Sequence, residues 1–98
     1  MGKTEKAISS GLKTGSGIIT TRPAKLTGVE IITNGVNDAT VIVYNSQDAT
    51  GAVLFKGTVP GVNNFGGVTY EIPVVAEKGL YLSLAGTGAS AIVLFDHI

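Results

Sequence analysis

The 98-residue chain contains no cysteine and no tryptophan, and only 14% of its residues are charged. Because there is no thiol, disulfides, cysteine nucleophiles and cysteine-ligated zinc sites are excluded. Seven basic and seven acidic residues give a formal net charge of zero, whereas nucleic-acid-binding domains concentrate an excess of Lys and Arg on one face. We therefore predict no nucleic-acid partner.

Long apolar runs are also missing. No segment approaches the roughly 18 consecutive apolar residues of a membrane-spanning helix, and residues 1–6 lead into no apolar core of signal-peptide length. We expect a soluble protein without a membrane partner. The length is that of one domain. A content of 44% apolar residues with so little charge predicts that partner subunits cover part of its apolar surface.

The sequence does contain many short β-branched and aromatic runs, separated by Gly, Asn and Asp. Such runs are typical of strands, and the residues between them favour turns. No segment has the apolar spacing of an amphipathic helix. The pattern predicts an all-β fold, namely a single β-sandwich or jelly-roll-like domain of about seven or eight antiparallel strands in residues 14–98, after an N-terminal arm or tail in residues 1–13. Strands are expected near residues 17–21, 26–33, 40–44, 53–59, 68–74, 80–85 and 91–96, with a short one near 7–12.

Two of these predicted strands, residues 41–44 and 91–95, are apolar on both faces. An antiparallel strand with two apolar faces is expected to be covered on its outer side as well. We predict that a partner subunit provides this cover. The alternative is that both are central strands, covered by loops or by the N-terminal segment of the same chain. The candidate interface residues are Val41, Val43, Ala91, Val93 and Phe95.

Two motifs invite a catalytic or cofactor-binding interpretation. Residues 86–91 (GTGASA) match the dinucleotide fingerprint G-x-G-x-x-A, but only seven residues follow, too few for the helix and second parallel strand that the fingerprint requires. A tight hairpin turn with a glycine at positive φ is predicted instead. Asp96 and His97 are neighbours on a strand and point to opposite faces, so we expect surface residues there. We predict no catalytic residue, no cofactor and no metal site.

Two polar loops contain oxygen ligands that would suit calcium. Asn45, Gln47 and Asp48 lie in one, and Asn37 and Asp38 lie in the other. The spacing of an EF-hand loop is absent, and Asn and Asp in turns more often bind their own backbone. We expect turn residues, with a structural cation as the alternative.

Residues 15–95 resemble small β-sandwich virion proteins of tailed bacteriophages. The resemblance rests on the order of four segments: 17–23 (GIITTRP), 26–35 (LTGVEIITNG), 39–44 (ATVIVY) and 79–90 (GLYLSLAGTGAS), followed by a closing apolar strand. It implies a structural domain of the virion, made in the host cytoplasm, that decorates or cements the capsid. A head-fibre or tail-appendage subunit, or an adaptor, is the alternative position. The implied partners are major capsid or other virion proteins and further copies of the chain, with a trimer favoured.

A second class of function uses the same kind of fold. β-Sandwiches also serve as carbohydrate-binding modules, in which exposed aromatic rings stack on sugars, and the fold alone does not decide between the two. Such modules usually present Trp, which this chain lacks. An enzyme is not expected, because the sequence shows no acid pair, activated nucleophile or metal cluster. The candidate rings for a sugar platform are Tyr44, Tyr70, Tyr81, Phe55, Phe65 and Phe95.

Overall fold

The β-branched runs form eight strands joined by short turns. A computed structural model describes residues 8–98, with positions 71 and 72 described for their backbone only. The seven main strands lie where the sequence predicts them, although their ends differ by up to three residues. The strands are β1 (Ile8–Ser9), β2 (Gly17–Thr20), β3 (Ala24–Ile32), β4 (Ala39–Asn45), β5 (Ala52–Val59), β6 (Phe65–Ala76), β7 (Leu80–Ala85) and β8 (Ser90–His97), with a 3₁₀ turn at Gly61–Asn63.

The strands pair from the outside of the sequence inward. β1 pairs with β8, β2 with β7, β3 with β6 and β4 with β5, all antiparallel. Further pairing of β3 with β8 and of β4 with β7 produces two four-stranded sheets. Sheet A has the order β1-β8-β3-β6 and sheet B the order β2-β7-β4-β5. A long hairpin rolled into two facing sheets in this way is a jelly roll, so the predicted all-β sandwich is confirmed.

The core lies between the two sheets and consists of alternate side chains of the strands. On β7, Leu80 and Leu82 are fully buried and Tyr81 between them is half-buried on the outer face, as period-2 alternation requires. Most of the larger buried side chains come from four strands, with two or three from each: Leu26, Val29 and Ile31 of β3, Val41 and Val43 of β4, Leu80 and Leu82 of β7, and Val93 and Phe95 of β8, while β5 contributes Val59.

The five candidate interface residues all belong to this core, so the prediction that they contact a partner is wrong. Their exposed fractions are 0% for four and 5% for the last, in the order Val41, Val43, Ala91, Val93 and Phe95. β4 and β8 are central strands of their sheets, and one face of each is apolar because it forms part of the core. The side chains on the other face of each strand are half-buried.

The described part of the predicted N-terminal arm belongs to sheet A. Ile8 and Ser9 pair with Phe95 and Leu94, and a bridge between Lys13 and Ala91 continues the contact. The Lys13 amide donates to the Ala91 carbonyl at 2.8 Å. The sandwich therefore begins before the predicted boundary at residue 14. Ala7, the first residue of the predicted short strand, lies outside the described residues.

The turn at Gly86 to Gly88 has the predicted conformation but not the predicted connection. Gly86 and Gly88 have φ of 121° and 71°, and the Ala89 amide donates to the Gly86 carbonyl at 3.2 Å. The strands on either side belong to different sheets, so they do not form a hairpin. A turn with these residues can connect the two strands of a hairpin or two strands of different sheets. Only the pairing of the strands distinguishes the two cases.

Candidate subunit interface on the outer face of sheet B

An apolar row crosses the outer face of sheet B. Ile18, Tyr81, Tyr44 and Val53 come from β2, β7, β4 and β5 respectively, and each is in register with the next. We call these four residues the aromatic row. Because neighbouring strands lie about 4.8 Å apart, the row is about 15 Å long. It spans the whole width of the sheet.

The two tyrosines at the centre of the row support each other. Their ring centroids lie 6.3 Å apart with an interplanar angle of 58°, within the usual range for an aromatic pair. Both are half-buried, whereas Ile18 and Val53 at the two ends are 49% and 54% exposed. Rings tilted by this angle share no plane, so a sugar cannot stack on both at once.

The strands that carry the row contain almost no charge. Beyond their end, the Lys78 amide donates to the side chain of Asn45, the neighbour of Tyr44, so loop residues with charge adjoin one side of the row. In the next register, Ile42 lies between Ser83 of β7 and Lys56 of β5, and Lys56 is the only charged residue in the four strands of sheet B. Beyond it, the hydroxyls of Thr40 and Thr58 form a hydrogen bond of 2.9 Å. An apolar centre with a polar, weakly charged margin is typical of protein–protein interfaces.

β4, on which the sequence placed two of the candidate interface residues, has different neighbours on its two faces. Val41 and Val43 point inward, and their neighbours Ile42 and Tyr44 point outward. Tyr81 alternates with Leu80 and Leu82, which places it on the outer face of β7. Ile18 and Val53 could not be selected from the sequence, because their membership of the row depends on cross-strand register.

Sheet A has a shallow groove on its outer face. Phe65, Gly67, Leu94 and Glu30 are among its lining residues, and its volume is about 230 Å³. Ligand sites usually enclose about 300–1,000 Å³, so the groove is small for a drug-sized molecule. Among the side chains that the structure describes, those of residues 8–70 and 73–98, no three from His, Asp or Glu come together in a geometry that could hold a metal ion.

The acidic loop residues bind the protein's own backbone. The Asp48 carboxylate accepts hydrogen bonds from the Ser46 hydroxyl at 3.1 Å and from the Thr50 amide at 2.9 Å, and also from the Thr50 hydroxyl. The bonds from Thr50, together with the weaker one from Ser46, hold the pKa of Asp48 below its ordinary value. Asp38 accepts from the Gly61 amide at 2.9 Å. Asp48 therefore stabilises its own turn, as the sequence favoured, whereas Asp38 joins its loop to the one that contains Gly61.

Comparison with known protein families, curated proteins and solved structures found no match for this chain. No helix within the described residues is long and apolar enough to cross a membrane. The aromatic row is the most extensive apolar feature on the outer face of sheet B.

Proposed function

We propose that this protein is a structural component of a tailed-bacteriophage particle, which decorates or cements the capsid by subunit packing. The observation that supports the proposal best is the aromatic row on a sheet with one charged residue. Such a surface suits repeated contact between copies of the same chain. The resemblance of residues 15–95 supplies the virion context and favours a trimer.

The energetics of the row favour a closed, multi-copy assembly. Complete burial of one large apolar side chain contributes about 1.5–3 kcal/mol. The four residues of the row are already partly covered, so the row contributes on the order of 4 kcal/mol per subunit. Association costs at least about 4 kcal/mol in lost motional freedom. A pair buries two rows, about 8 kcal/mol, which lies within the range of about 4–15 kcal/mol for that cost. An isolated pair is therefore marginal, and a ring or a multivalent particle supplies additional contacts.

The mass of the purified protein tests the self-association. Light scattering at tens of micromolar should give a trimer, and the mass should change little with ionic strength because apolar burial is not screened by salt. Val53→Ser, at the exposed end of the row, should shift the protein towards monomer. Val75→Ser is the matched control, since Val75 is 50% exposed and belongs to sheet A. A monomeric mass for the unchanged protein at every concentration would refute the assembly.

Binding to purified phage particles tests the virion context. The protein should co-sediment with capsids, and gold-labelled protein should decorate the shell in electron micrographs. Label confined to the tail or to head fibres would indicate an appendage or adaptor subunit instead. No co-sedimentation at any salt concentration would refute a virion role.

A further inference from the structure

Three large apolar side chains project from one end of the sandwich. Val36, Val62 and Phe65 are 78%, 80% and 72% exposed, more than any other large apolar residue described. Val36 lies between β3 and β4, Val62 lies in the 3₁₀ turn between β5 and β6, and Phe65 begins β6. We call these three residues the apolar tip. Their exposure is costly in water, so it calls for an explanation.

The two loops that carry the apolar tip are fastened to each other. The Thr33 hydroxyl donates to the Gly61 carbonyl at 2.8 Å, and the Thr33 amide donates to the Asn64 carbonyl at 2.6 Å. The Gly61 amide donates to the Asp38 carboxylate. The backbones are in such close contact that a Cβ at Gly61 would lie 2.2 Å from the Val36 carbonyl oxygen. The loops therefore form one unit.

Each loop is also held by bonds of its own. The Asn34 side-chain oxygen accepts from the amides of Val36 and Asn37 at 2.9 and 2.8 Å. In the other loop, the Asn63 amide donates to the Pro60 carbonyl at 2.9 Å. A preformed loop loses little conformational entropy on binding. The backbone thus holds Val36 and Val62 in solvent, whereas a flexible loop would be free to fold them back.

The chemistry of the apolar tip restricts its partner. Residues 33–37 and 60–70 contain no charged residue, and Asp38 between them is engaged with Gly61. Anionic membranes and nucleic acids are bound through Lys and Arg, which these segments lack. A rigid apolar projection without basic residues instead matches an apolar depression on a protein.

We propose that the apolar tip is the end by which the domain docks on the protein shell of the particle, in an uncharged apolar depression, while the aromatic row joins copies of the chain to one another. This inference rests on the proposed function. In this inference the apolar tip binds the particle and the aromatic row binds other copies of the chain, so a substitution can weaken one contact without the other. The multiplicity of a particle compensates for the small area of a single tip.

The test uses capsids that lack this protein and a sedimentation assay. The double variant Val36→Ser with Val62→Ser should bind capsids at least about tenfold more weakly, with its mass in solution and its thermal unfolding unchanged. Phe65→Ser should show the same loss. Val75→Ser, an equally conservative change on sheet A, should bind normally.

The outcomes separate the two proposals. If the unchanged protein binds capsids and the double variant binds equally well, the apolar tip is not the docking end. If the unchanged protein does not bind capsids at all, the virion function itself fails and the inference fails with it. Flotation with phosphatidylcholine or phosphatidylglycerol vesicles, lost in the double variant, would identify a lipid partner and overturn the assignment to a protein shell.

Discussion

The hydroxyl of Thr20 and Nε2 of His97 lie 3.1 Å apart and join the two sheets. Thr20 ends β2 of sheet B, and His97 ends β8 of sheet A. The imidazole also meets the Phe95 ring edge-on, with centroids 5.4 Å apart. His97 is thus a half-buried contact across the open end of the sandwich and not the surface residue that the sequence suggested.

Removal of this contact should weaken the sandwich. Thr20→Val abolishes the hydrogen bond to His97 and the one that Thr20 accepts from the Arg22 amide. We expect the free energy of unfolding to fall by about 1 kcal/mol, measured by urea denaturation. Thr58→Val is the control, because its exposed hydroxyl bonds only within sheet B. Equal losses in both variants would show that the contact between sheets has no special role.

Adjacent residues on β4 should respond in opposite ways to a charge. Val43 is completely buried, so Val43→Asp should cost about 4 kcal/mol or more and unfold the domain. Ile42 points outward beside Lys56, so Ile42→Asp should leave a folded protein with weakened self-association. Circular dichroism and light scattering distinguish the two effects. If the Ile42→Asp variant folds and assembles fully, the outer face of sheet B is not part of the interface.

A side chain at Gly86 should disturb the turn between β7 and β8. At its φ of 121°, a Cβ would lie 2.2 Å from the Asp38 carbonyl oxygen. Gly86→Ala should therefore lower the free energy of unfolding by about 2 kcal/mol or more. Gly15→Ala, where a Cβ would meet nothing within 4 Å, is the control and should be nearly neutral in the same thermal unfolding measurement.

The lowered pKa of Asp48 makes a small part of the stability dependent on pH. Hydrogen bonds from Thr50 and Ser46 favour the ionised carboxylate. Their contribution is present above the ordinary Asp pKa of about 3.9 and is lost as the pH falls through the lower pKa of the folded state. The melting temperature of the unchanged protein should fall relative to that of Asp48→Asn between pH 5 and about pH 2. A difference that stays constant with pH would contradict this.

Strand positions could be predicted from the sequence because each run has its own β-branched residues and its own turn. The direction of the side chains on β3, inward or outward, could not be predicted in the same way. The register of β3 shifts between Leu26 and Gly28 against both of its neighbours, and Thr27 occupies the bulge. The alternation of inward and outward side chains therefore restarts after the bulge. For this reason Leu26 and Val29, which are an odd number of residues apart, are both buried, as is Ile31. A bulge leaves no clear trace in a single sequence.

The candidate site was harder to predict than the fold for a related reason. An apolar strand such as residues 41–44 shows that both sides are apolar, but not which side faces the second sheet. The aromatic row needs four strands in register, and the apolar tip needs two loops in contact. Both depend on pairings between residues far apart in the sequence, which composition and spacing do not contain.

The outside-in pairing of the strands has a consequence for how the chain folds. Only residues 46–51 separate β4 from β5, whereas residues 10–89 separate β1 from β8. Since the entropy lost on closing a loop grows with its length, β4 and β5 should meet first and β1 and β8 last. Folding should then be slow, in milliseconds to seconds. Substitutions in β4 and β5 should slow folding, and those in β1 and β8 should mainly speed unfolding.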